Sequence, residues 1–110
     1  MKKGVLGGIA VAALWMAMPQ AAQAQWTVEM TITQAFVEDS DALVVYTAGG
    51  GNNSCIGNSW VIYAANEDRR ARLWATVLTA LSLGKKIKFW FGGSCGAFGF
   101  HQASAVQIIS

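Results

Sequence analysis

A single helical segment divides a chain whose other segments alternate like β-strands, and this order constrains the fold more than any other feature. The helix is predicted to start after Asn66, which suits an N-cap, and to end at Gly84, a glycine typical of helix C-termini. Between these ends, apolar residues recur at helical spacing, namely Leu73, Trp74, Val77, Leu78 and Leu81. The helix therefore separates two groups of strands.

Three strands are predicted before the helix and two after it. Their ranges are 26–36, 42–47, 60–64, 86–91 and 103–109. In the first strand, the alternation predicts that Trp26, Val28, Met30 and Ile32 share a buried face. In the fourth strand, Ile87, Phe89 and Phe91 are expected in the core. Trp60 and Tyr63 point to opposite faces of the third strand, and the sequence leaves open which of them is buried.

The order of these elements predicts the fold class. Five short strands with one helix between the third and the fourth is the layout of the OB fold, a Greek-key barrel. Closing the barrel would remove exposed sheet edges. We therefore expect a mainly β domain with one helix, folded as a five-stranded OB-fold-like Greek-key barrel.

Residues 1–24 have the layout of a secretory signal peptide. Lys2 and Lys3 precede an apolar run, and the segment ends in Ala22-Gln23-Ala24. The apolar run is short for a membrane-spanning helix, so no stable membrane insertion is expected. We expect cleavage near Ala24, a single domain over residues 25–110, and a secreted or periplasmic location.

Removing this segment changes the charge of the protein. Without Lys2 and Lys3, six basic residues remain against six acidic ones. Nucleic-acid binding normally requires a clearly positive surface, which displaces counterions from phosphates. A nucleic-acid partner is therefore not expected.

The two cysteines, Cys55 and Cys95, are expected to form a disulfide. An isolated pair in an exported protein is most simply a cross-link. Closing a loop of roughly 40 residues would contribute about 3 to 4 kcal/mol in the chain-entropy model.

No catalytic or metal site is predicted. His101 is the only histidine and lacks a partner histidine, free cysteine or nearby acid, so we expect it on the surface or in a loop. Residues 92–96 match the G-x-S-x-G pattern of a nucleophile elbow, but a glycine-rich segment follows them where that motif needs a helix. We therefore expect no enzyme, no cofactor and no metal.

Two places are candidates for binding. Trp90 shares an outward face with Lys86 and Lys88, which favours a subunit interface or a ligand contact unless the helix or a loop covers the ring. Asn52 and Asn53 follow a glycine run, and their amides could bond sugar hydroxyls; the alternative is a mobile loop tip without a role. A third group, Arg69, Arg70 and Arg72, is expected on a solvated face of the helix, with an acidic patch on a neighbouring subunit as the alternative.

A family resemblance rests on Cys55, on the segment LTALSLGKKI at residues 78–87, and on Cys95. Over about residues 55–109 the chain resembles the small secreted OB-fold proteins similar to the B subunit of subtilase cytotoxin. The resemblance implies a five-stranded barrel, ring-shaped pentamers and sugar recognition. The chain is shorter than that subunit and has one cysteine pair, and none of its positions matches the sugar-contacting residues of that family.

Together these observations predict an exported, non-enzymatic binding module. A glycan is the expected ligand and a homo-oligomer the expected assembly, a pentamer by resemblance, with an exported partner chain as a further candidate. The alternative is a structural or inhibitory envelope protein that docks on a protein partner through the Trp90 face.

Overall fold

The computed structural model describes residues 24–110. This part of the chain holds strands, one α-helix and a short 3₁₀ turn, so the expected mainly β fold with one helix is confirmed. Residues 1–23 of the predicted signal peptide lie outside the described residues. The elements are β1 (Gln25–Trp26), β2 (Ile32–Val37), β3 (Leu43–Thr47), β4 (Ser59–Ile62), α1 (Glu67–Leu83), β5 (Lys86–Cys95), the 3₁₀ turn (Ala97–Gly99) and β6 (His101–Ile109).

The six strands form one mixed sheet in the order β1-β5-β6-β4-β3-β2. β4 and β6 are parallel, and the other neighbouring pairs are antiparallel. The sheet has six strands and is not closed, so the structure differs from the five-stranded closed barrel that the sequence predicts.

The additional strand arises because the two ends of the predicted first strand have different partners. The upstream end pairs with β5, where Met30 and Ile87 exchange backbone hydrogen bonds of 2.8 and 2.9 Å. The downstream end, β2, pairs with β3. Met30 and Ile32 are buried as predicted, but Trp26 and Val28 are exposed, since the alternation is interrupted between β1 and β2.

Helix α1 begins and ends where its caps predict. The Asn66 side chain accepts a hydrogen bond of 2.9 Å from the Arg69 backbone N–H. Gly84 adopts the left-handed conformation, with φ of 65°, and its N–H closes the last turn. The buried line of the helix is Leu73, Val77 and Ala80. Leu78 and Leu81 are 39% and 36% exposed, so the buried stripe is narrower than their helical spacing predicts.

The core lies between the inner face of the sheet and α1. Phe89 and Phe91 are buried as predicted, and Trp60 is fully buried between them and His101. The indole N–H of Trp60 donates to the Thr47 hydroxyl at 3.0 Å, which satisfies the polar atom of this large ring. Tyr63 is 53% exposed, so Trp60 is the member of that pair that faces the core.

Cys55 and Cys95 form the predicted disulfide, with their Cα atoms 5.6 Å apart. The cross-link joins the long loop between β3 and β4 to the end of β5. The backbone N–H of Ile56 also bonds the Gly99 carbonyl at 2.9 Å, so the loop is held to the 3₁₀ turn immediately beside the disulfide.

Candidate binding groove

Four aromatic rings line one continuous groove on the surface of the sheet. Phe36 contacts Tyr46 edge-to-face at a centroid distance of 5.4 Å, and Tyr46 contacts Phe100 at 6.1 Å. Phe98 continues the series, 5.5 Å from Phe100. The space beside them has a volume of about 140 Å³ and is completed by Val44 and Glu38. We refer to this site as the aromatic groove.

A β-bulge aims Phe36 into the aromatic groove. Ile32 is paired with Thr47 and Gln34 with Tyr46, so β2 carries one residue more than β3 between these positions. The additional residue reverses which side chains point inwards. Ala35 therefore packs against the core, although it has the opposite parity to buried Ile32, and Phe36 is free to face outwards.

The pairing of β2 with β3 places the second ring next to the first. Phe36 lies opposite Val44, and Tyr46 is two residues farther along the same strand. Such diagonal neighbours on one face of an antiparallel pair are within reach of aromatic side chains. Val44 lies between the rings and forms the floor of the groove.

The other two rings come from the turn between β5 and β6. Within the turn, Gly96 N–H donates to the Phe100 carbonyl at 2.7 Å, and Phe100 N–H donates to the Ala97 carbonyl at 3.1 Å. Phe98 has φ of 62° and ψ of 11°, a left-handed conformation that is rare for a bulky residue. Its ring is 49% exposed. The chain thus holds an apolar ring at the surface in a conformation that costs of order 1–2 kcal/mol.

The groove ends at the turn between β2 and β3, which we call the acidic turn because it contains Glu38, Asp39 and Asp41. Glu38 opens this turn, its backbone N–H donates to the Ala42 carbonyl, and its own carbonyl accepts from Asp41 N–H, both at 2.8 Å. Its half-buried side chain reaches the groove.

Arg69 and Arg72 are exposed and Arg70 is half-buried, in line with the expected solvated face of α1, and each of them also donates a hydrogen bond within the chain. Arg70 donates from its guanidinium to the Asp41 carbonyl oxygen, and Arg69 donates to the Ser104 carbonyl at 3.0 Å. Arg72 stays on the helix, where it bonds the Asp68 carbonyl at 3.3 Å. Arg69 and Arg70 therefore fasten the start of α1 to β6 and to the acidic turn.

His101 corrects a second expectation, because it is fully buried and not on the surface. Its ring packs against Trp60 at a centroid distance of 4.6 Å and meets Phe91 edge-on at 5.2 Å. Nδ1 lies 3.1 Å from the Ser59 carbonyl oxygen, and Nε2 lies 3.3 Å from the Asn52 backbone nitrogen. A ring that donates from Nδ1 and accepts at Nε2 satisfies both contacts, so His101 holds the long loop against the core.

The two asparagines predicted to contact a ligand, Asn52 and Asn53, differ in their surroundings. The Asn52 side-chain oxygen accepts from Ser54 N–H at 2.8 Å and lies 3.2 Å from Nε2 of His101. Asn52 therefore organises its own loop, whereas Asn53 is exposed. Neither residue lines the aromatic groove.

The predicted Trp90 surface lies elsewhere on the sheet. Trp90 is half-buried because Trp26 of β1 packs against it edge-to-face at 5.6 Å. Lys86 is exposed and Lys88 is half-buried. A second, wider groove of about 380 Å³ opens beside Trp26 and is lined by residues 25–28, residues 50–52 and Phe91.

The sequence prediction missed the four rings of the aromatic groove. Phe98 and Phe100 do carry a local signal, since they stand in a glycine-rich turn in which few apolar side chains can be buried. Phe36 and Tyr46 carry none, because their outward direction depends on the bulge and on the pairing of β2 with β3.

Comparisons with known proteins leave the family of the chain open. No model of a protein family matches the sequence, and no curated protein matches it. Over residues 24–110, none of the helices has the length and apolarity needed to cross a membrane. In the same part of the chain, no three histidine, cysteine or acidic side chains converge in a way that could hold a metal ion.

Proposed function

We propose that this chain is an exported, non-enzymatic binding module and that the aromatic groove binds a glycan. The observation that carries the proposal is the series of four rings, of which Phe98 is held outwards against its backbone preference. Strain of this kind persists only where the surroundings impose it, and it occurs often at ligand sites. Exposed aromatic faces are suited to the C–H faces of sugar rings.

The proposal includes an OB-like reading of the sheet, which several features support. The chain from β1 to β2 pairs with β5 at its start and with β3 at its end. β4 and β6 are parallel, and the one helix of the described residues lies between β4 and β5. In OB folds, oligosaccharides and oligonucleotides bind on the face of the second and third strands, between the first and the last hairpin loops. In this reading the aromatic groove lies between the turns that correspond to those two loops, and its strand residues come from β2 and β3 and none from β4.

A glycan is favoured over a nucleic acid by charge. Glu38 lines the groove, and the segment proposed to remain after export carries equal numbers of basic and acidic residues. A phosphate backbone would gain nothing from these charges. The disulfide agrees with the proposed export, because such cross-links persist in oxidising compartments.

A glycan array with matched variants tests the proposal. Phe98→Gly and Tyr46→Ala each remove one ring from the groove, and Tyr63→Ala removes an exposed ring outside it. We expect the first two variants to lose at least about tenfold in affinity for the glycan that the unmodified protein binds, or ~1.4 kcal/mol. Tyr63→Ala should bind normally. A blank array, or unchanged binding by Phe98→Gly, would contradict the proposed function.

A protein partner is the second candidate, and the Trp26–Trp90 pair favours it. Trp26 is 45% exposed, Val28 is exposed close to it, and Lys86 is exposed on β5, the strand that carries Trp90. Within this second proposal, the patch joins copies of the chain into the ring-shaped oligomer that the toxin-subunit resemblance implies. Light scattering of the unmodified protein and of Trp26→Ala measures the oligomeric state directly. Loss of the oligomer in the variant alone would support an interface at Trp26 and Trp90. A monomeric unmodified protein would exclude this interface between copies.

A further inference from the structure

We propose that the glycan in the aromatic groove carries a positively charged amino group, so that an amino sugar is its class of ligand. This inference rests on the proposed function, because it names the ligand of the same groove. Of the described residues that line the groove, Glu38 alone carries a charge, and the others are aromatic or aliphatic. The specificity of the site therefore depends on what this carboxylate attracts.

The Glu38 carboxylate has little to satisfy it within the protein. It accepts one hydrogen bond, from the neighbouring Asp39 backbone N–H at 3.3 Å. Over residues 24–110, the ion pair that the structure contains joins Arg70 to Glu67 at 3.7 Å and does not include Glu38. The carboxylate therefore lies at the solvent-exposed edge of the groove without a cation from the described part of the protein, and an ammonium group bound beside the rings would form a charge-assisted hydrogen bond with it.

The surroundings of the groove strengthen this preference. Asp39 and Asp41 do not line the groove but belong to the same turn as Glu38 and add negative charge there. Arg70, which approaches the turn from α1, already bonds the Asp41 carbonyl and pairs with Glu67. These charges would repel an anionic sugar and attract a cationic one. A neutral sugar would gain no electrostatic contribution to its binding.

The aromatic rings suit the same ligand. A cation over the face of a tyrosine or phenylalanine ring is attracted by the ring quadrupole within about 6 Å of the centroid. Tyr46, within the series of rings, and Phe98, at its end, both line the groove, and their remaining surface suits the C–H groups of the sugar. One amino sugar thus uses both the rings and the carboxylate.

The test compares two ligands that differ only in charge. Calorimetric titration of the protein with a chito-oligosaccharide in its N-acetylated form and in its deacetylated, amine-bearing form measures the preference. We expect the deacetylated form to bind at least about tenfold more tightly, or ~1.4 kcal/mol. Raising the ionic strength from about 0.05 to about 0.5 M should weaken this binding and leave that of the acetylated form unchanged.

Matched variants locate the charge that is responsible. Glu38→Gln keeps the shape of the side chain and should abolish the preference, whereas Glu29→Gln changes an exposed carboxylate outside the groove and should preserve it.

Equal binding of the two oligosaccharides, or a preference that survives Glu38→Gln in a protein with an unchanged melting temperature, would overturn the inference and leave the proposed glycan function intact. Binding of neither form, together with a blank glycan array, would remove the proposed function itself. Competition by free choline as strong as that of the amino sugar would assign the groove to ammonium groups in general and overturn the sugar assignment.

Discussion

At the scale of single residues, the aromatic groove depends on two irregularities of the backbone. The bulge in β2 turns Phe36 outwards, and the left-handed conformation of Phe98 presents its ring at the other end. Phe98 stays about half exposed, so burial does not explain its position, whereas Phe36 is half-buried against Tyr46. The proposed binding role would give both irregularities one cause.

The strain at Phe98 can be measured with two substitutions that both remove the ring. Phe98→Ala keeps a Cβ atom and therefore the unfavourable conformation, whereas glycine adopts positive φ freely. We expect Phe98→Gly to be more stable than Phe98→Ala by about 1 kcal/mol in urea denaturation. If the alanine variant proves as stable as the glycine variant, the conformation at this position is not strained.

At the scale of elements, α1 links the acidic turn at one end of the groove to β6. Its N-terminal turn is fastened to β6 by Arg69 and to the acidic turn by Arg70. The caps at Asn66 and Gly84 fix where the helix begins and ends. The position of the acidic turn, and of Glu38 within it, therefore depends on the start of α1.

Removing either cap should destabilise the protein. Asn66→Ala leaves the Arg69 N–H without its side-chain acceptor and should cost about 1 kcal/mol. Gly84→Ala forces an alanine into φ of 65° and should also cost about 1 kcal/mol. Thermal and urea denaturation provide the measurement, with Asn53→Ala in the exposed loop as the control, which should change stability by less than about 0.5 kcal/mol.

The sequence predicts best what local patterns decide. Asn66 and Gly84 bound the helix through their own side chain and backbone, and Phe89 and Phe91 alternate within one strand, so the helix and this part of the core could be predicted. The disulfide followed from the number of cysteines. Each of these features needs no knowledge of which distant segments pair.

What the sequence could not predict depends on contacts between distant segments. His101 is buried because Ser59 and Asn52, more than 40 residues away in the chain, satisfy its two ring nitrogens. A lone histidine carries no sign of such partners. Phe36 faces outwards for a similar reason, since a bulge is defined only by the register between β2 and β3.

At the scale of the whole molecule, the disulfide and His101 hold the long loop between β3 and β4 in place. The disulfide fastens it to the end of β5, beside the turn that carries Phe98. The contact of Asn52 with His101 fastens its other part to the core. A cross-link between segments 40 residues apart also restricts the unfolded chain.

Removing the disulfide should therefore have a large effect on stability. Replacing both Cys55 and Cys95 by alanine is expected to lower the free energy of unfolding by about 3 to 4 kcal/mol. The measurement is urea denaturation of this variant beside the unmodified protein, each with and without a dithiol reductant. Reductant should destabilise the unmodified protein to a similar degree and leave the stability of the variant unchanged. If the variant loses less than about 1 kcal/mol of unfolding free energy, the other contacts hold the loop without the cross-link.

The most direct measurement of the proposed binding site is NMR mapping of backbone amide shifts during titration with a bound glycan. If the aromatic groove is the site, the largest changes will fall in residues 36–38, 44–46 and 96–100, which surround it. Changes concentrated instead in residues 25–28 and 50–52, around the second groove, would contradict this assignment.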